Sequence, residues 1–371
     1  MSTTMKNLIV FYDEQKKLHT KLEDIPVLTA ASLAPNEVLV KVNVAGSNPK
    51  DYKHPQPAYF NSRLNQGDDC AGSVAAVGSA VKGFQVGERV AGFHVMGTTN
   101  GTYAEYAICP AQTVFHLPDS ISDEEAATMP LAIFTAAVGL YRNLQLPAPW
   151  DRSDDKAGRG KLPLVVNAAS GAVGSFAIKL AKLNPKIGPV IAIAGSSKDY
   201  VRTLGVDAVV DYRSPTVIDD IKKAAGGLTI NHVLDAANSA ASVKYLTQVL
   251  APKTGRYTST LPVAPHPFYD PEGKMERDLK AIDVWYEQIW VGDVHEDKKP
   301  GGPLFGAVVS KAIEHALATH SLRGHRYELV EQGLDGVEAA LLELRDRKWS
   351  GNAKFVTRIG DTPALGPKGV W

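Results

Sequence analysis

Short apolar segments separated by turn residues dominate the first third of the chain. Segments of this kind run from Leu8 to Tyr12, from Glu37 to Val44 and from Gly72 to Val77, and glycines punctuate the sequence that follows. This spacing is typical of strands joined by tight turns. It predicts a β-rich N-terminal domain.

The pattern then changes. The residues Glu124 to Ala127 and the apolar run Leu131 to Leu140 favour helix, which Pro147 would end. A polar loop at 151–161 precedes four apolar strand-like segments, each separated from the next by a helical pattern. The four segments are Leu162–Val166, Val190–Ala194, Ala208–Asp211 and His232–Asp235. This alternation predicts a parallel sheet covered by helices.

The last third opens with a proline- and aromatic-rich segment, Leu261 to Pro303. Helical patterns follow at Val308–Thr319 and Leu334–Arg347, and a final strand is expected at Lys354–Ile359. With 371 residues the chain is too long for one core, so two domains are expected.

Composition narrows the class of protein. Apolar residues make up 44% and charged residues 22%, as in compact globular proteins. Lys plus Arg equal Asp plus Glu at 40 each, so no net field favours nucleic acid or a membrane surface as partner. A small-molecule substrate is the simpler expectation. The short apolar N-terminus predicts a strand rather than a signal peptide, and no apolar run approaches the about 20 residues of a membrane span, so a soluble cytoplasmic protein is expected.

The strongest local motif follows the strand 162–166. It consists of a small-residue turn, Asn167 to Gly174, and a helical pattern that stops at Pro185. A pyrophosphate can approach the unpaired N–H groups at such a helix N-terminus, and Gly171 would let the backbone come close. The predicted cofactor-binding residues here are Ser170, Gly171, Ala172 and Val173. An ordinary tight βα turn is the alternative, which the four successive βα units disfavour.

The next strand predicts which dinucleotide binds. An acid at its end would hold the ribose of NAD, but this strand ends with Ser196, Ser197 and Lys198. Two hydroxyls and a cation suit a 2′-phosphate, so NADPH is the predicted cofactor. The alternative is that Ser196 only caps the following helix and that Lys198 is a solvated surface charge. Asp199 keeps NADH as an alternative cofactor.

Two further segments resemble the medium-chain dehydrogenase/reductase family: Gly46–Asp51, and Gly67–Gly72 with its continuation to Val90. The closing 351–356 resembles the family's last strand, and the resemblance covers essentially the full length. It implies an α/β fold with a GroES-like β-rich catalytic domain, at 1–128 and 305–371, and a Rossmann domain, a doubly wound parallel sheet that binds the dinucleotide, at 129–304.

The family's zinc-containing alcohol dehydrogenases carry a Cys where Asn48 stands and a His-Glu pair where Asp68 and Asp69 stand. A third ligand, Cys, is missing near Phe134 and Thr135, and the only two cysteines of the chain exclude a four-cysteine zinc lobe. The sequence therefore resembles the zinc-independent branch, with its quinone oxidoreductases, enoyl reductases and fungal trans-acting enoyl reductases, and no metal is expected.

The resemblance also implies roles for individual residues. Those expected at the cofactor are Asn48, Pro49, Asp51, Lys198, Tyr212 and Lys354, with Asn48 and Asp51 next to the nicotinamide and counted as catalytic. Tyr59 is the candidate proton donor, with Tyr52 and His54 as rivals. Phe134 and Thr135 are expected to face substrate. Each of these residues also has a purely structural interpretation. Asn48 and Pro49 could stabilise a turn, Lys198 could be a surface lysine, and Tyr212 could simply end a strand. Tyr59, Tyr52 and His54 could be surface-loop aromatics, and Phe134 and Thr135 could belong to a buried helix.

Without a Lewis acid, a conjugated acceptor is easier to reduce than an isolated carbonyl. The expected reaction is hydride transfer from NADPH to an enone, enoyl thioester or quinone. Alternatives are an NADPH-dependent aldehyde reductase or alcohol dehydrogenase and a non-catalytic, crystallin-like NADPH-binding protein. A carrier-protein-tethered acyl chain is a further possible substrate, and the family implies a monomer or homodimer.

Overall fold

In the computed structural model, residues 3–57, 59–151, 162–265, 270–296, 301–346 and 352–365 are described. Most of the loop predicted at 151–161 therefore lies outside the described residues, as do Arg347 and Gly351. The strands are β1 (Thr4–Tyr12), β2 (Leu18–Pro26), β3 (Glu37–Gly46), β4 (Asp69–Val77), β5 (Arg89–Phe93), β6 (Tyr106–Pro110), β7 (Val114–His116), β8 (Leu162–Asn167), β9 (Ile187–Ile193), β10 (Ala208–Val210), β11 (His232–Asp235), β12 (Arg256–Ser259), β13 (Trp285–Gln288), β14 (Tyr327–Val330) and β15 (Lys354–Arg358).

The helices are α1 (Pro49–Lys53), α2 (Asp123–Ala126), α3 (Pro130–Ala137), α4 (Ala172–Lys182), α5 (Lys198–Thr203), α6 (Val217–Ala224), α7 (Ala240–Leu246), α8 (Lys274–Ala281), α9 (Gly302–Ala318) and α10 (Val337–Arg345). The chain forms two compact units, one of residues 1–131 and 292–371 and one of residues 132–291.

The first unit is β-rich. Its larger sheet has the order β14-β15-β3-β4-β5-β7, with β6 also paired to β3, and β1 and β2 form an antiparallel pair. Its core is built from inward-facing apolar residues of these strands, such as Val40 and Val74, together with Leu341 of α10 and Tyr103 of the loop before β6. The predicted β-rich domain is confirmed, and the C-terminal strand β15 completes it by pairing with β3.

The second unit contains a six-stranded sheet in the order β10-β9-β8-β11-β12-β13, and all of its strand pairs are parallel. Counted within the unit, this is the doubly wound order 3-2-1-4-5-6 of the Rossmann fold. The predicted parallel sheet is confirmed. In such a sheet, ligands bind at the carboxyl ends of the strands beside the point where the order reverses, which here lies between β8 and β11.

Several elements were not predicted, among them β2, β5 to β7, β12 and α1, and two departures lie in the last third of the chain. The segment 261–303 contains the helix α8 and the edge strand β13, whose sequence Trp-Tyr-Glu-Gln has no apolar run because all four residues are half-buried. The helix predicted from Val308 begins at Gly302, since Pro303 occupies the first turn, where a missing N–H costs nothing.

Candidate active site

The turn between β8 and α4 has the geometry of an anion-binding helix start. Ala168 has a left-handed φ of 54°, which turns the chain sharply after β8, and Gly171 is the N-cap of α4. A Cβ on Gly174 would lie 2.5 Å from the carbonyl oxygen of Ala168. Gly174 is thus needed so that the helix can pack against the turn, as a phosphate-binding turn requires.

Gly171 differs from Gly174. A Cβ on Gly171 would meet only the oxygen of Ala168, at 3.5 Å, and its φ of −74° is open to any residue. The fold therefore accepts other residues at position 171. A phosphate that approaches the start of α4, however, needs the space that a side chain there would occupy. Ser170, Ala172 and Val173 are half-buried beside it, so the backbone can be reached from solvent. The residues present fit a bound pyrophosphate.

Cationic and hydroxyl groups follow the next two strands. Ser196 is exposed after β9, and Ser197 is the buried N-cap of α5. The Lys198 ammonium lies 3.0 Å from a carboxylate oxygen of Asp211. The Arg213 guanidinium donates two hydrogen bonds to the same carboxylate, at 2.9 and 2.7 Å.

Tyr212 is half-exposed between these ion-pairing neighbours. A Cβ on Gly195 would lie 2.8 Å from its ring, so the absence of a side chain at Gly195 lets the ring cover the end of β9. Sequence reasoning missed Arg213 and Asp211. Their signal was available, because Asp211 directly follows β10 and the carboxyl ends of β9 and β10 are neighbours in the parallel sheet.

In the β-rich unit, Asn48 and Asp51 begin the helix α1. The Asp51 carboxylate accepts a hydrogen bond from the Asn48 N–H at 2.8 Å and another from the Tyr103 hydroxyl at 2.7 Å. Asp51 is fully buried, and burial raises its pKa to about 6 despite the neighbouring Lys50 ammonium. Asp51 thus caps the helix from inside the protein.

Asp69 holds three of its neighbours together. Its carboxylate accepts hydrogen bonds from the Asn48 side-chain amide at 2.8 Å and from the Leu131 N–H at 2.5 Å. The Lys354 ammonium forms a buried ion pair with it and lies 3.4 Å from the carbonyl of Thr128. The predicted residues Asn48 and Lys354 therefore meet at one carboxylate.

Asp68 is paired separately. Its carboxylate forms a buried ion pair with Lys50, and its other oxygen lies 2.9 Å from Nδ1 of His94. Burial alone would raise the pKa of Asp68, but the Lys50 ammonium and His94 outweigh it and lower that pKa. The Lys50 ammonium also lies 3.1 Å from Asp51 and donates to the carbonyl of Gln66 at 2.5 Å. Sequence reasoning assigned no role to Lys50.

The remaining candidates are Tyr59, Pro49, Phe134 and Thr135. Tyr59 is half-buried in the loop after α1, and burial raises the pKa of its hydroxyl. Pro49 opens α1, where proline is favoured. Phe134 and Thr135 are both buried on α3. Within the described ranges, no group of three His, Cys, Asp or Glu side chains is arranged to hold a metal ion.

Comparison with known proteins gives the family. Residues 34–119 match the alcohol dehydrogenase GroES-like domain, and residues 172–260 match a domain described as zinc-binding dehydrogenase. Trans-enoyl reductase fsr4 of Gibberella fujikuroi is 34% identical over 336 residues, which cover 89% of this chain and 91% of that protein. The chain belongs to the medium-chain dehydrogenase/reductase family. It is an oxidoreductase of a family that uses nicotinamide dinucleotides and acts on small molecules.

A second relative agrees with this family, and two solved structures share the fold. Trans-enoyl reductase resD of Aspergillus sclerotiorum is 30% identical over 338 residues, covering 87% of this chain and 92% of its own length. A quinone oxidoreductase from Coxiella burnetii and the CurK enoyl reductase superpose with TM-scores of 0.69 and 0.68 at 21% and 22% identity, each covering 96% of this chain and 99% of its own. At that identity the two structures support the fold alone. In the part of the chain that the structure describes, no helix is long and apolar enough to cross a membrane.

Proposed function

We propose that this medium-chain oxidoreductase reduces an activated C=C bond, with an enoyl thioester as the favoured substrate class and NADPH as the reductant. The observation that carries the proposal is the match to trans-enoyl reductases over nine-tenths of the chain. Bound NADPH would supply the hydride. An acyl chain tethered to a carrier protein belongs to this substrate class.

The substrate class is tested by following NADPH consumption with four acceptors at equal concentration. These are a short enoyl thioester, the matching free enoic acid, a quinone and a saturated aldehyde. We expect the thioester to be reduced fastest, because its carbonyl activates the β-carbon more than a carboxylate does. Faster reduction of the aldehyde would contradict the proposal and favour an alcohol dehydrogenase.

The preference for NADPH rests on the groups that follow β9 and β10. Lys198, Arg213 and Asp211 sum to one positive charge at neutral pH, and Ser196 adds an exposed hydroxyl beside them. Asp211 holds both cations in one place, which lowers the entropy lost when a 2′-phosphate binds. The proposal is thus that Lys198 and Arg213 both contact that phosphate.

Binding of 2′,5′-ADP and of 5′-AMP separates the 2′-phosphate from the rest of the cofactor. The wild type should bind 2′,5′-ADP at least tenfold more tightly. Arg213→Gln should lose most of this difference and leave 5′-AMP binding unchanged, whereas Arg202→Gln, which removes an exposed guanidinium paired with Asp199 on the same unit, should change neither. Equal binding of the two nucleotides by the wild type would count against NADPH.

Independence from zinc is proposed from the donor set. The two buried carboxylates at the family's ligand positions, Asp68 and Asp69, are each already paired with an ammonium, from Lys50 and Lys354 respectively. A third cation there would meet both ammonium groups at short range. Metal analysis of active protein after dialysis against a chelator should find no zinc, and stoichiometric zinc would contradict this part of the proposal.

Tyr59 is proposed as the proton donor to the substrate. Its hydroxyl stays protonated at neutral pH, since burial raises its pKa. Tyr59→Phe should slow turnover and leave the dissociation constant for NADPH unchanged, while Tyr106→Phe serves as the control for loss of a half-buried hydroxyl in the same unit. Unchanged turnover in Tyr59→Phe would exclude the role.

A further inference from the structure

A buried carboxylate stands at the carboxyl end of β11, beside the phosphate-binding turn. Asp235 is fully buried and accepts five hydrogen bonds. Its donors are the Asn167 amide (2.8 Å), the N–H groups of Ala237 and Asn238 (2.9 Å each), and the hydroxyls of Ser242 and Tyr257 (2.7 Å each). A carboxylate with so many donors is held rigidly in place.

Asn167 is held from two sides. Its amide nitrogen donates to Asp235, and its amide oxygen accepts from the Tyr245 hydroxyl at 2.8 Å. The carboxylate can only accept, so it fixes which end of the amide faces Asp235 and which faces Tyr245. Asn167 is buried, and its side chain is engaged in these two bonds.

The position of Asn167 governs the turn that follows it. Asn167 is the last residue of β8, and the next residue is Ala168, a non-glycine residue with left-handed φ. Such a conformation is costly unless the surroundings enforce it. From there the backbone is tied by the bonds of Ala169 N–H to the carbonyl of Ile193 and of Gly171 N–H to that of Ala168. The conformation of residues 167–171 therefore sets the direction in which the N–H groups at the start of α4 point.

We propose that Tyr245 is a positioning residue for dinucleotide binding: through Asn167, and with Asp235 on the other side, it holds the phosphate-binding turn in its binding conformation. This proposal rests on the dinucleotide cofactor of the proposed function. Tyr245 lies on α7 and is half-buried: its ring packs against the core of this unit, and its hydroxyl donates a hydrogen bond to the amide of Asn167. Without that bond the amide is held from one side instead of two, and the left-handed residue beside it loses part of its support.

The test is Tyr245→Phe, with Tyr286→Phe as matched control. Tyr286 belongs to the same unit, and its hydroxyl donates to Glu276 at 2.9 Å, away from the turn. For Tyr245→Phe we expect the dissociation constants of NADPH and of 5′-ADP to rise about tenfold, as for loss of one bond to a buried amide. The kcat at saturating NADPH and the KM for the acceptor should stay within about twofold of wild type. Tyr286→Phe should match the wild type in all four quantities.

This split separates positioning from a general loss of folded protein, which lowers kcat and leaves the dissociation constants unchanged. Wild-type affinity in Tyr245→Phe, or an equal loss in Tyr286→Phe, would overturn the proposal while the cofactor assignment stood. A wild-type protein that binds neither NADPH nor NADH would overturn both. The two failures are therefore distinguishable.

Discussion

Two regions of the molecule, the charged pairs around Asp68 and Asp69 in the β-rich unit and the turn at Gly171 in the Rossmann unit, use their polar groups in opposite ways. In the β-rich unit, the mostly buried Lys50 and the buried Lys354 are paired with Asp68 and Asp69, and the Asp51 carboxylate receives two hydrogen bonds from protein donors. In the Rossmann unit, the start of α4 is reachable from solvent, and Gly171 has room that the protein does not fill.

The difference distinguishes residues that build the protein from residues that bind. A buried charge needs its partner, so the pairs around Asp68 and Asp69 contribute to folding first. The turn at Gly171 leaves backbone donors for a ligand, so its sequence serves binding first. Substitutions in the first region should mainly change stability, and substitutions in the second should mainly change affinity.

The largest expected effect is on stability, from Lys354→Met. Removing the ammonium leaves the buried Asp69 with the neutral donors of Asn48 and Leu131, and we expect the free energy of unfolding to fall by about 3–5 kcal/mol, measured by urea denaturation. Lys21→Met, which breaks the exposed pair with Glu23, should change it by less than about 1 kcal/mol. The double variant Lys354→Met/Asp69→Asn should recover much of the loss. A loss below about 1 kcal/mol in Lys354→Met would remove the contrast between the units.

The next effect is on affinity, from Gly171→Asp. Aspartate is a good N-cap and the backbone has room for it, so the melting temperature should not fall. Its charge would repel the cofactor's pyrophosphate, and the dissociation constant for NADPH should rise about 100-fold, a change of about 2.7 kcal/mol. Gly171→Asn is the matched neutral variant, and it should lose clearly less. If both variants bind NADPH as the wild type does, the pyrophosphate does not lie at this turn.

The smallest expected effect is on how the free energy of unfolding depends on pH in the β-rich unit. Burial, followed by the nearby Lys50 ammonium, lowers the pKa of His54 to about 4, from an ordinary value of about 6.5. A lowered pKa means that the folded state favours neutral His54, so its contribution to stability is complete above pH 6.5 and is lost as the pH falls towards 4. His54→Gln should remove about 1–2 kcal/mol of the stability difference between pH 7 and pH 4.5, measured by urea denaturation. His320→Gln is the control at an exposed position of the same unit, and an identical pH dependence in both variants would contradict the assignment.

Much of this protein could be predicted from its sequence. The apolar segments and their spacing predicted a β-rich unit and a parallel sheet, because each strand must bury its own apolar face whatever its neighbours are. The turn at 167–174 was predicted for the same local reason, since Gly171 and Gly174 lie next to the strand and the helix they connect. Ser196 to Lys198 could be proposed as cofactor-binding residues from the sequence because they directly follow a strand of that sheet, and this assignment stays a prediction.

The tertiary structure decided how distant residues pair. Lys354 lies 285 residues from Asp69, and nothing local in either segment predicts that their charges meet. The same holds for Tyr245 and Asn167, which lie 78 residues apart and meet because β11 is the neighbour of β8 in the sheet. Polar side chains carry no periodic signal of their own. Strand order decides which of them meet, and burial makes their pairing obligatory.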